Sequence, residues 1–405
     1  MVRIALISDI HFGLYSRTAE FSVPGEPIQD ENTGEVSLKN SLISILKETN
    51  TQYLCIAGDL TSVGSPQEFA YCENTVISIA QEAGISQDNI IFGLGNHDID
   101  WKISELYASY KDHSSDFPHE LVKDKYRRIA ASAPLINTSS IFKFNSIGPA
   151  PCSGVVENRD FIMFILNSGW CCTRDQAVSH GKLNVDQLTW FEESLKRYKS
   201  DQRWKIVLLH HHPYVYSYPT PIFDISMLEE SGLFLDVAGK NGIHLVLHGH
   251  RHHPRAETTQ KNEWINPITF VCAGSLTVNS EHRSNGDIPN TLHIIELTDE
   301  VGVLKLLNYQ YSPAQGWLPI KNNCPETPLD SKMMFGKIFN TDEINRSIQD
   351  LSVNEVLRWE KLDECLRFRT TNDLNQRITE RLSDTHKMIG LFPGEVILIK
   401  NGGSL

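Results

Sequence analysis

Acidic, amide and imidazole side chains follow five apolar runs of this sequence, each time at the point where the run ends. They occur in five blocks: Asp9-Ile10-His11, Gly58-Asp59, Gly95-Asn96-His97-Asp98, His210-His211-His212 and Gly249-His250-Arg251-His252. Carboxylate and imidazole ligands together suit Mn, Fe, Zn or Co, whereas Mg and Ca favour shells made of oxygen. Two such metals about 3.5–4 Å apart can clamp a phosphate and activate a water against it. The residue types therefore predict metal-assisted hydrolysis of a phosphorus ester.

The elements that must position these blocks are the strands of an α/β fold. Apolar, β-rich runs lie at residues 4–7, 53–57, 90–94, 161–167, 204–210, 244–247, 269–272 and 292–297. Several are continuous rather than alternating, which is typical of strands that are covered on both faces. Helical patterns at 38–48, 67–83 and 186–199 separate them, and Ser65 and Pro66 form a helix start before the second. Sites of α/β enzymes lie beyond the carboxyl ends of strands, so the five blocks can meet in one crevice.

Two stretches fall outside this alternation. The connection over residues 100–160 is long, and its pattern predicts two helices, at 103–111 and 120–131, and a strand. A proline-rich linker begins after Ser312, and helical patterns follow it to about Lys387. A capping box at 352–355 opens one of these helical patterns, and residues 394–400 have the pattern of a strand. We expect a catalytic domain over residues 1–312 and a mainly helical C-terminal appendage over 313–405.

Composition limits the partners. The chain has 405 residues, of which 40% are hydrophobic and 21% charged, and its net charge is −13. No apolar run approaches the roughly 20 residues that span a bilayer, so no membrane partner is expected. Duplex-binding proteins usually carry a basic excess, which disfavours long duplex nucleic acid as a partner. The eight cysteines include no C-x-x-C pair, and the N-terminus lacks the features of a signal peptide, so we expect reduced thiols and a cytoplasmic location.

Taken together, the blocks resemble the calcineurin-like metallophosphoesterase family. Its signature of D-x-H, G-D, G-N-H-D/E, H and G-H-x-H occurs here in that order, and the resemblance covers about residues 1–312. It implies two central mixed β-sheets that pack as a sandwich and are flanked by helices. Further segments resemble the branch that contains class III cyclic-nucleotide phosphodiesterases: residues 58–61, 64–69 and 181–183, Gln187, residues 190–191 and residues 273–275.

The resemblance also implies a centre of two divalent transition metals, Mn, Fe or Zn. The residues that would hold them are Asp9, His11 and His252 for one metal, Asn96, His211 and His250 for the other, and Asp59 as a bridge. His97 would stabilise the transferring phosphoryl group or protonate the leaving oxygen, and Asp98 would fix its tautomer. A hydroxide between the two metals would attack phosphorus in line, without a covalent intermediate.

The triple histidine leaves three candidates for one ligand position. Neighbouring strand residues face opposite sides, so two adjacent histidines are not expected to point inward together. The family usually has its ligand two residues before a proline, which selects His211 before Pro213. His210 and His212 are then expected to pack or to line the rim, and His248 to support a ligand or to pack at its strand end.

Four functions fit this pattern to different degrees. A phosphodiesterase acting on a small nucleotide-like substrate is favoured by the branch-like segments and by the acidic balance. The alternatives are a phosphomonoesterase or phosphoprotein phosphatase, a nuclease acting with a partner protein, and a scaffold that has lost catalysis. The full set of candidate ligands argues against the scaffold. A second copy of the chain or a protein partner would dock on the C-terminal appendage.

Overall fold

The computed structural model describes twelve stretches of the chain: residues 1–28, 36–98, 146–150, 152–169, 172, 180–214, 226–282, 288–320, 329–338, 356–358, 386–392 and 395–400. Four helices are described here, α1 Leu38–Glu48, α2 Pro66–Ala83, α3 Val185–Arg197 and α4 Ser231–Lys240. The strands up to residue 272 are β1 Val2–Ile7, β2 Tyr53–Ala57, β3 Ile90–Gly93, β4 Ser146–Ile147, β5 Gly154–Glu157, β6 Phe161–Ile165, β7 Trp204–Leu208, β8 Leu245–His248, β9 Arg255–Thr259 and β10 Ile268–Cys272. The later strands are β11 Thr291–Leu297, β12 Leu304–Ser312, β13 Gly316–Pro319, β14 Lys332–Phe335, β15 Val356–Arg358, β16 His386–Phe392 and β17 Glu395–Lys400.

Most of these strands belong to two mixed sheets of seven strands each. The first has the order β13-β12-β11-β1-β2-β3, with β14 also paired to β12; β1, β2 and β3 run parallel and β11 antiparallel to β1. The second has the order β4-β5-β6-β7-β8-β10-β9, in which β6, β7, β8 and β10 are parallel. Because the parallel strands of a sheet end at one edge, each sheet presents several strand ends at a common edge.

The two sheets pack face to face, and helices cover both outer faces. Strand alternation sorts the side chains into these layers: in β7, Ile206 and Leu208 join the core between the sheets, while Val207 belongs to the core under α3 and α4. Helices α1 and α2 cover the outer face of the first sheet. The sandwich flanked by helices that the resemblance implied is confirmed.

The helix boundaries follow the local signals in the sequence. Helix α1 has the bounds expected from its apolar spacing. Helix α2 starts at Pro66 with a full capping box, in which the Ser65 hydroxyl accepts from the Glu68 N–H and the Glu68 carboxylate accepts from the Ser65 N–H. These contacts satisfy backbone donors that the first turn of a helix leaves open.

The first sheet continues beyond the domain boundary expected at residue 312. Strands β13 and β14 pair antiparallel with β12, so residues 316–319 and 332–335 belong to this sheet. Farther on, β15, β16 and β17 form a three-stranded antiparallel sheet, and β17 agrees with the strand expected near the end. The helix expected to open at residues 352–355 is wrong, because residues 356–358 pair with β17 instead and this pairing overrides the local capping pattern.

Other expectations for helices fall where the structure gives no description. The helices expected at 103–111 and 120–131 and most of the helical pattern between residues 329 and 387 lie outside the described residues. Within the described part of the chain, no helix is long and apolar enough to cross a membrane.

Candidate metal centre

The five sequence blocks meet at one edge of the sandwich, where strand ends of both sheets come together. From the first sheet, the Asp9 N–H donates to the Gly58 carbonyl at 3.1 Å and the His11 N–H to the Asp59 carbonyl at 2.9 Å. From the second sheet, the Gly249 N–H donates to the His210 carbonyl at 3.0 Å. We call the side chains that converge there the central cluster: Asp9, His11, Asp59, Asn96, His210, His250 and His252.

The backbone of the central cluster is strained. Seven non-glycine residues in the described chain have φ between 46° and 83°, the left-handed region that L-residues avoid. Five of the seven belong to the central cluster: Asp9, His11, Asp59, His250 and His252. Such strain persists where surrounding structure enforces it, and it concentrates at functional sites.

Asp9, His11 and His252 form the first half of the cluster. The Asp9 Oδ1 atom lies 3.3 Å from His252 Nε2 and 3.9 Å from His11 Nε2. Asp9 and His11 are buried, and among the residues that the structure describes neither Asp9 Oδ1 nor either ring nitrogen of His11 has a hydrogen-bond partner. Since buried polar atoms are costly when they are unsatisfied, this arrangement of one carboxylate and two imidazoles fits a transition-metal ion.

Asp59 lies between the two halves. Its Oδ2 atom is 3.5 Å from His11 Nε2 in the first half and 3.1 Å from His210 Nε2 in the second. Its Oδ1 atom accepts the backbone N–H of His97 at 2.8 Å, which fixes the orientation of the carboxylate. Asp59 Oδ2 is therefore within reach of imidazoles from both halves.

The second half contains Asn96, His250 and His210. The Nε2 atom of His210 is 3.1 Å from Asn96 Oδ1 and 3.2 Å from His250 Nδ1. The Nδ1 atom of His210 lies 2.7 Å from the Ala57 carbonyl, which therefore accepts its proton and directs Nε2 into the cluster. An amide oxygen, two imidazoles and the Asp59 carboxylate thus converge on one point.

The structure places His210 in this position, where the sequence favoured His211. The Nδ1 atom of His211 is 2.9 Å from Ser168 Oγ instead, and its Nε2 atom is 3.9 Å from Cys172 Sγ. The alternation argument holds, but the proline spacing selected the wrong member of the run. His210 continues the side of the strand that faces the other sheet, as Ile206 and Leu208 do. Counting the alternation from β7 would have identified His210.

His97 and Asp98 do not form the pair expected from the sequence. The His97 Nδ1 atom lies 2.8 Å from the Ser62 carbonyl, so this carbonyl fixes the tautomer and orients Nε2. A ring nitrogen of His97 lies within 4.8 Å of ligand atoms of His11 and Asp59. His97 is thus beside the centre, as expected.

Asp98 instead ties together the loops that carry the centre. Its Oδ1 atom accepts from the Thr61 N–H at 3.0 Å and from the Thr61 hydroxyl at 3.1 Å, and its Oδ2 atom accepts from the Gly95 N–H at 2.9 Å. Adjacent residues leave the loop in different directions, which is why Asp98 does not reach the His97 ring.

Burial and the two carboxylates set the charge of the centre. Burial lowers the pKa of His11 and of His250 well below the usual value, so both are neutral imidazoles, the form that binds metals. Burial also opposes a charge on His210, but the neighbouring Asp59 carboxylate outweighs it and raises the pKa of His210 to about 9. The His210 and His97 rings in turn overcome the effect of burial on Asp59 and hold its pKa well below the usual range.

Glycine is required where loops pass closest to the carboxylates. A Cβ atom at Gly249 would overlap Ser8 Oγ and approach Asp9 Oδ2 to 2.7 Å, and one at Gly95 would overlap Asp59 Oδ1. Gly93, by contrast, has ordinary space around it, with Leu208 as its nearest neighbour at 3.8 Å.

The family model for calcineurin-like phosphoesterases matches residues 2–254. No curated protein sequence matches the chain. Among solved structures, a dimetal phosphatase from Danio rerio is 13% identical, with a TM-score of 0.43 and coverage of 78% of this chain and 98% of that one. A purple acid phosphatase from yellow lupin (Lupinus luteus) seeds is 14% identical, with a TM-score of 0.49 and coverage of 78% and 52%.

Proposed function

We propose that this chain, which belongs to the calcineurin-like phosphoesterase family, is a two-metal phosphodiesterase that acts on a small nucleotide-like substrate. The observation that carries the proposal is the position of Asp59 Oδ2, 3.5 Å from His11 Nε2 and 3.1 Å from His210 Nε2. A carboxylate between two sets of metal-binding side chains is what a pair of adjacent cations requires.

The donor atoms divide into two sets. One cation would be held by Asp9, His11 and His252, the other by Asn96, His210 and His250, with Asp59 common to both. When bound, two such cations activate a water molecule and stabilise the negative charge that develops on the phosphoryl oxygens. Imidazole-rich sets of this kind favour Mn, Fe or Zn over Mg.

His97 is the group of the chain that would act on the ester itself. The Ser62 carbonyl accepts its Nδ1 proton, which orients Nε2 for a contact with substrate. In its protonated form the ring can donate to a phosphoryl oxygen or give a proton to the leaving alkoxide, as general acids do. The backbone N–H of His97 donates to Asp59 Oδ1, so the position of the ring is coupled to the bridging carboxylate.

Aromatic surface beside the centre supports a substrate with a planar group. The Tyr15 ring centroid lies 5.8 Å from those of His11 and His97, and it stacks on His282 at 4.2 Å with an interplanar angle of 30°. Tyr15 is half-buried and His282 is exposed. A base attached to the phosphodiester can pack on such a pair.

Segments shared with the diesterase-like branch support the same reading. Thr61 donates to Asp98 and thereby holds the loop before α2 in place. The side-chain amide of Gln187 accepts from the backbone N–H of Asn167 at 2.7 Å and donates to the backbone carbonyl of Asn167 at 3.2 Å. These two hydrogen bonds fix the residue that precedes Ser168. Both residues shape the surroundings of the central cluster.

The test compares a diester with a monoester on the same protein. The full chain is stripped with a chelator, reloaded with Mn²⁺, and assayed with bis-p-nitrophenyl phosphate and with p-nitrophenyl phosphate. We expect activity that depends on added metal and a higher kcat/KM for the diester. A strong preference for the monoester would make the chain a phosphomonoesterase, and failure of both substrates with the metals bound would reject hydrolysis of simple phosphoesters.

A further inference from the structure

A second group of metal-binding side chains lies on the other face of the second sheet. It consists of His212, His248 and Cys272, which we call the outer cluster. One ligand atom from each of the three lies within 4.8 Å of the others. All three residues are buried, with exposed fractions of 3% for His212 and 0% for His248 and Cys272.

Strand pairing brings two of the three together, and the segment after β7 brings the third. His248 ends β8 and Cys272 ends β10, and these two residues are direct partners in the parallel register, so their side chains share one face of the sheet. Cys272 packs into the core under α3 and α4. His212 follows the end of β7 and its ring centroid lies 4.8 Å from that of His248, with an interplanar angle of 74°.

The outer cluster is distinct from the central cluster although the chain runs through both. His210 Nε2 and His250 Nδ1 lie 3.2 Å apart in the central cluster, whereas His248 pairs with Cys272 on the face that α3 and α4 cover, and the His212 ring lies against His248. The ring centroids of His212 and His250 are 6.3 Å apart, and the ligands assigned above to the two cations include neither His212 nor His248. Nothing in the two-metal centre uses a thiol.

The contacts of the Cys272 thiol are weak. Its Sγ atom lies 3.6 Å from the Gly249 carbonyl and 3.5 Å from the Ala273 carbonyl. A buried thiol gains little from contacts of this kind, whereas coordination of an ion would give the sulfur a strong interaction. Two imidazoles lie close enough to share that ion with it.

We propose that His212, His248 and Cys272 bind a zinc ion that fastens the ends of β7, β8 and β10 to one another. Thiolate and imidazole are the ligands zinc prefers, and three protein ligands with one further small ligand complete its tetrahedral shell. Mg and Ca, which require oxygen ligands, do not suit this set. The ion would stiffen the strand ends that also present His210 and His250 to the central cluster.

Cobalt(II) is the probe that separates the outer cluster from the central one, because only a cobalt–thiolate bond absorbs intensely in the near ultraviolet. The full chain is stripped of metal, titrated with Co²⁺, and its absorption is compared with that of the C272S and C55S variants. Cys55 is the matched control, since it is equally buried but lies between the sheets in β2. We expect the thiolate band in the wild type and in C55S and its loss in C272S.

Zinc content gives a second readout that does not depend on activity. Elemental analysis of zinc-loaded protein should show one ion per chain fewer in C272S and in H248Q than in C55S. D59N, which alters the central cluster alone, should keep the thiolate band, so the failure of one site is distinguishable from that of the other. Absence of the band in the folded wild type, or its persistence in C272S, would overturn the proposal. H248Q serves as the test variant should C272S fail to fold.

Discussion

The central and outer clusters use similar residue types on opposite faces of the same sheet, but their backbones differ. Five residues of the central cluster have left-handed φ values between 46° and 83°, whereas His212, His248 and Cys272 have none. His248 and Cys272 are the last residues of regular strands. Strand pairing places His248 beside Cys272 directly, while the central cluster needs loops bent after the strands.

This difference separates positions that serve chemistry from positions that serve stability. A left-handed L-residue costs roughly 1–2 kcal/mol, so the central cluster carries strain that the rest of the fold must offset. In return, its carboxylates and imidazoles converge from both sheets on one point. Substitutions in the central cluster should therefore change catalysis most, and substitutions in the outer cluster should change metal content and stability most.

The largest expected effect is that of Asp59→Asn. Replacing the carboxylate by an amide removes the negative charge shared by both halves of the central cluster, so we expect kcat/KM to fall by about 10⁴-fold as several kcal/mol of charge stabilisation are lost. Metal content of the purified variant should fall as well. Asp88→Asn makes the same chemical change at an exposed position and should leave both quantities unchanged. Full activity of Asp59→Asn would show that the Asp59 carboxylate does not bridge two metal ions.

The pair His210→Ala and His211→Ala tests which neighbour belongs to the centre. The His210 variant loses an imidazole 3.1 Å from Asp59 Oδ2 and should lose about 10³-fold in kcat/KM together with metal. The His211 variant loses a hydrogen bond to Ser168 and should stay within roughly 10-fold of the wild type, in line with a lost uncharged contact. A larger loss of activity and metal in the His211 variant than in the His210 variant would show that His211 is the ligand, as the sequence favoured.

The sequence locates most residues of the central cluster because they follow strands that are apolar throughout. Since β1, β2 and β3 are parallel, Asp9, Asp59 and Asn96 come to a common edge of the sheet, where bent loops bring their side chains together. Sequence reasoning fails where a contact depends on how a loop bends. The Asp98 contacts to Thr61 and Gly95 and the Ser62 contact to His97 depend on loop conformations that no periodic pattern encodes.

In the C-terminal part, prediction from the sequence fails for a second reason. The capping pattern at 352–355 is a local signal, and the strand that follows it depends on pairing with β17, which lies some forty residues later in the chain. Such long-range pairing overrides local preference, and a single sequence does not reveal it.

His97→Ala separates catalysis from metal binding. The ring lies beside the centre and is held by the Ser62 carbonyl, so its loss should slow turnover by about 10²-fold, as for a lost acid–base group, while leaving the metals in place. The measurement is kcat together with metal content. Loss of metal with activity would make His97 a ligand, and an unchanged kcat would leave it without a part in the reaction.

The smallest effect concerns Gly249, which joins the two clusters because it lies between His248 and His250. A Cβ atom there would overlap Ser8 and press on Asp9, so Gly249→Ala should force a backbone shift and lower the free energy of unfolding by about 1–3 kcal/mol. Gly232→Ala is the matched control, since it lies in α4 with no atom within 4 Å of the added carbon and should be neutral or slightly stabilising. Urea denaturation measures the free energy of unfolding of both variants, in the metal-free and in the metal-loaded protein. If the shift displaces ligands on both faces, metal should stabilise Gly249→Ala less than it stabilises the wild type; equal stabilisation would show that the two clusters tolerate movement of the strand end that they share.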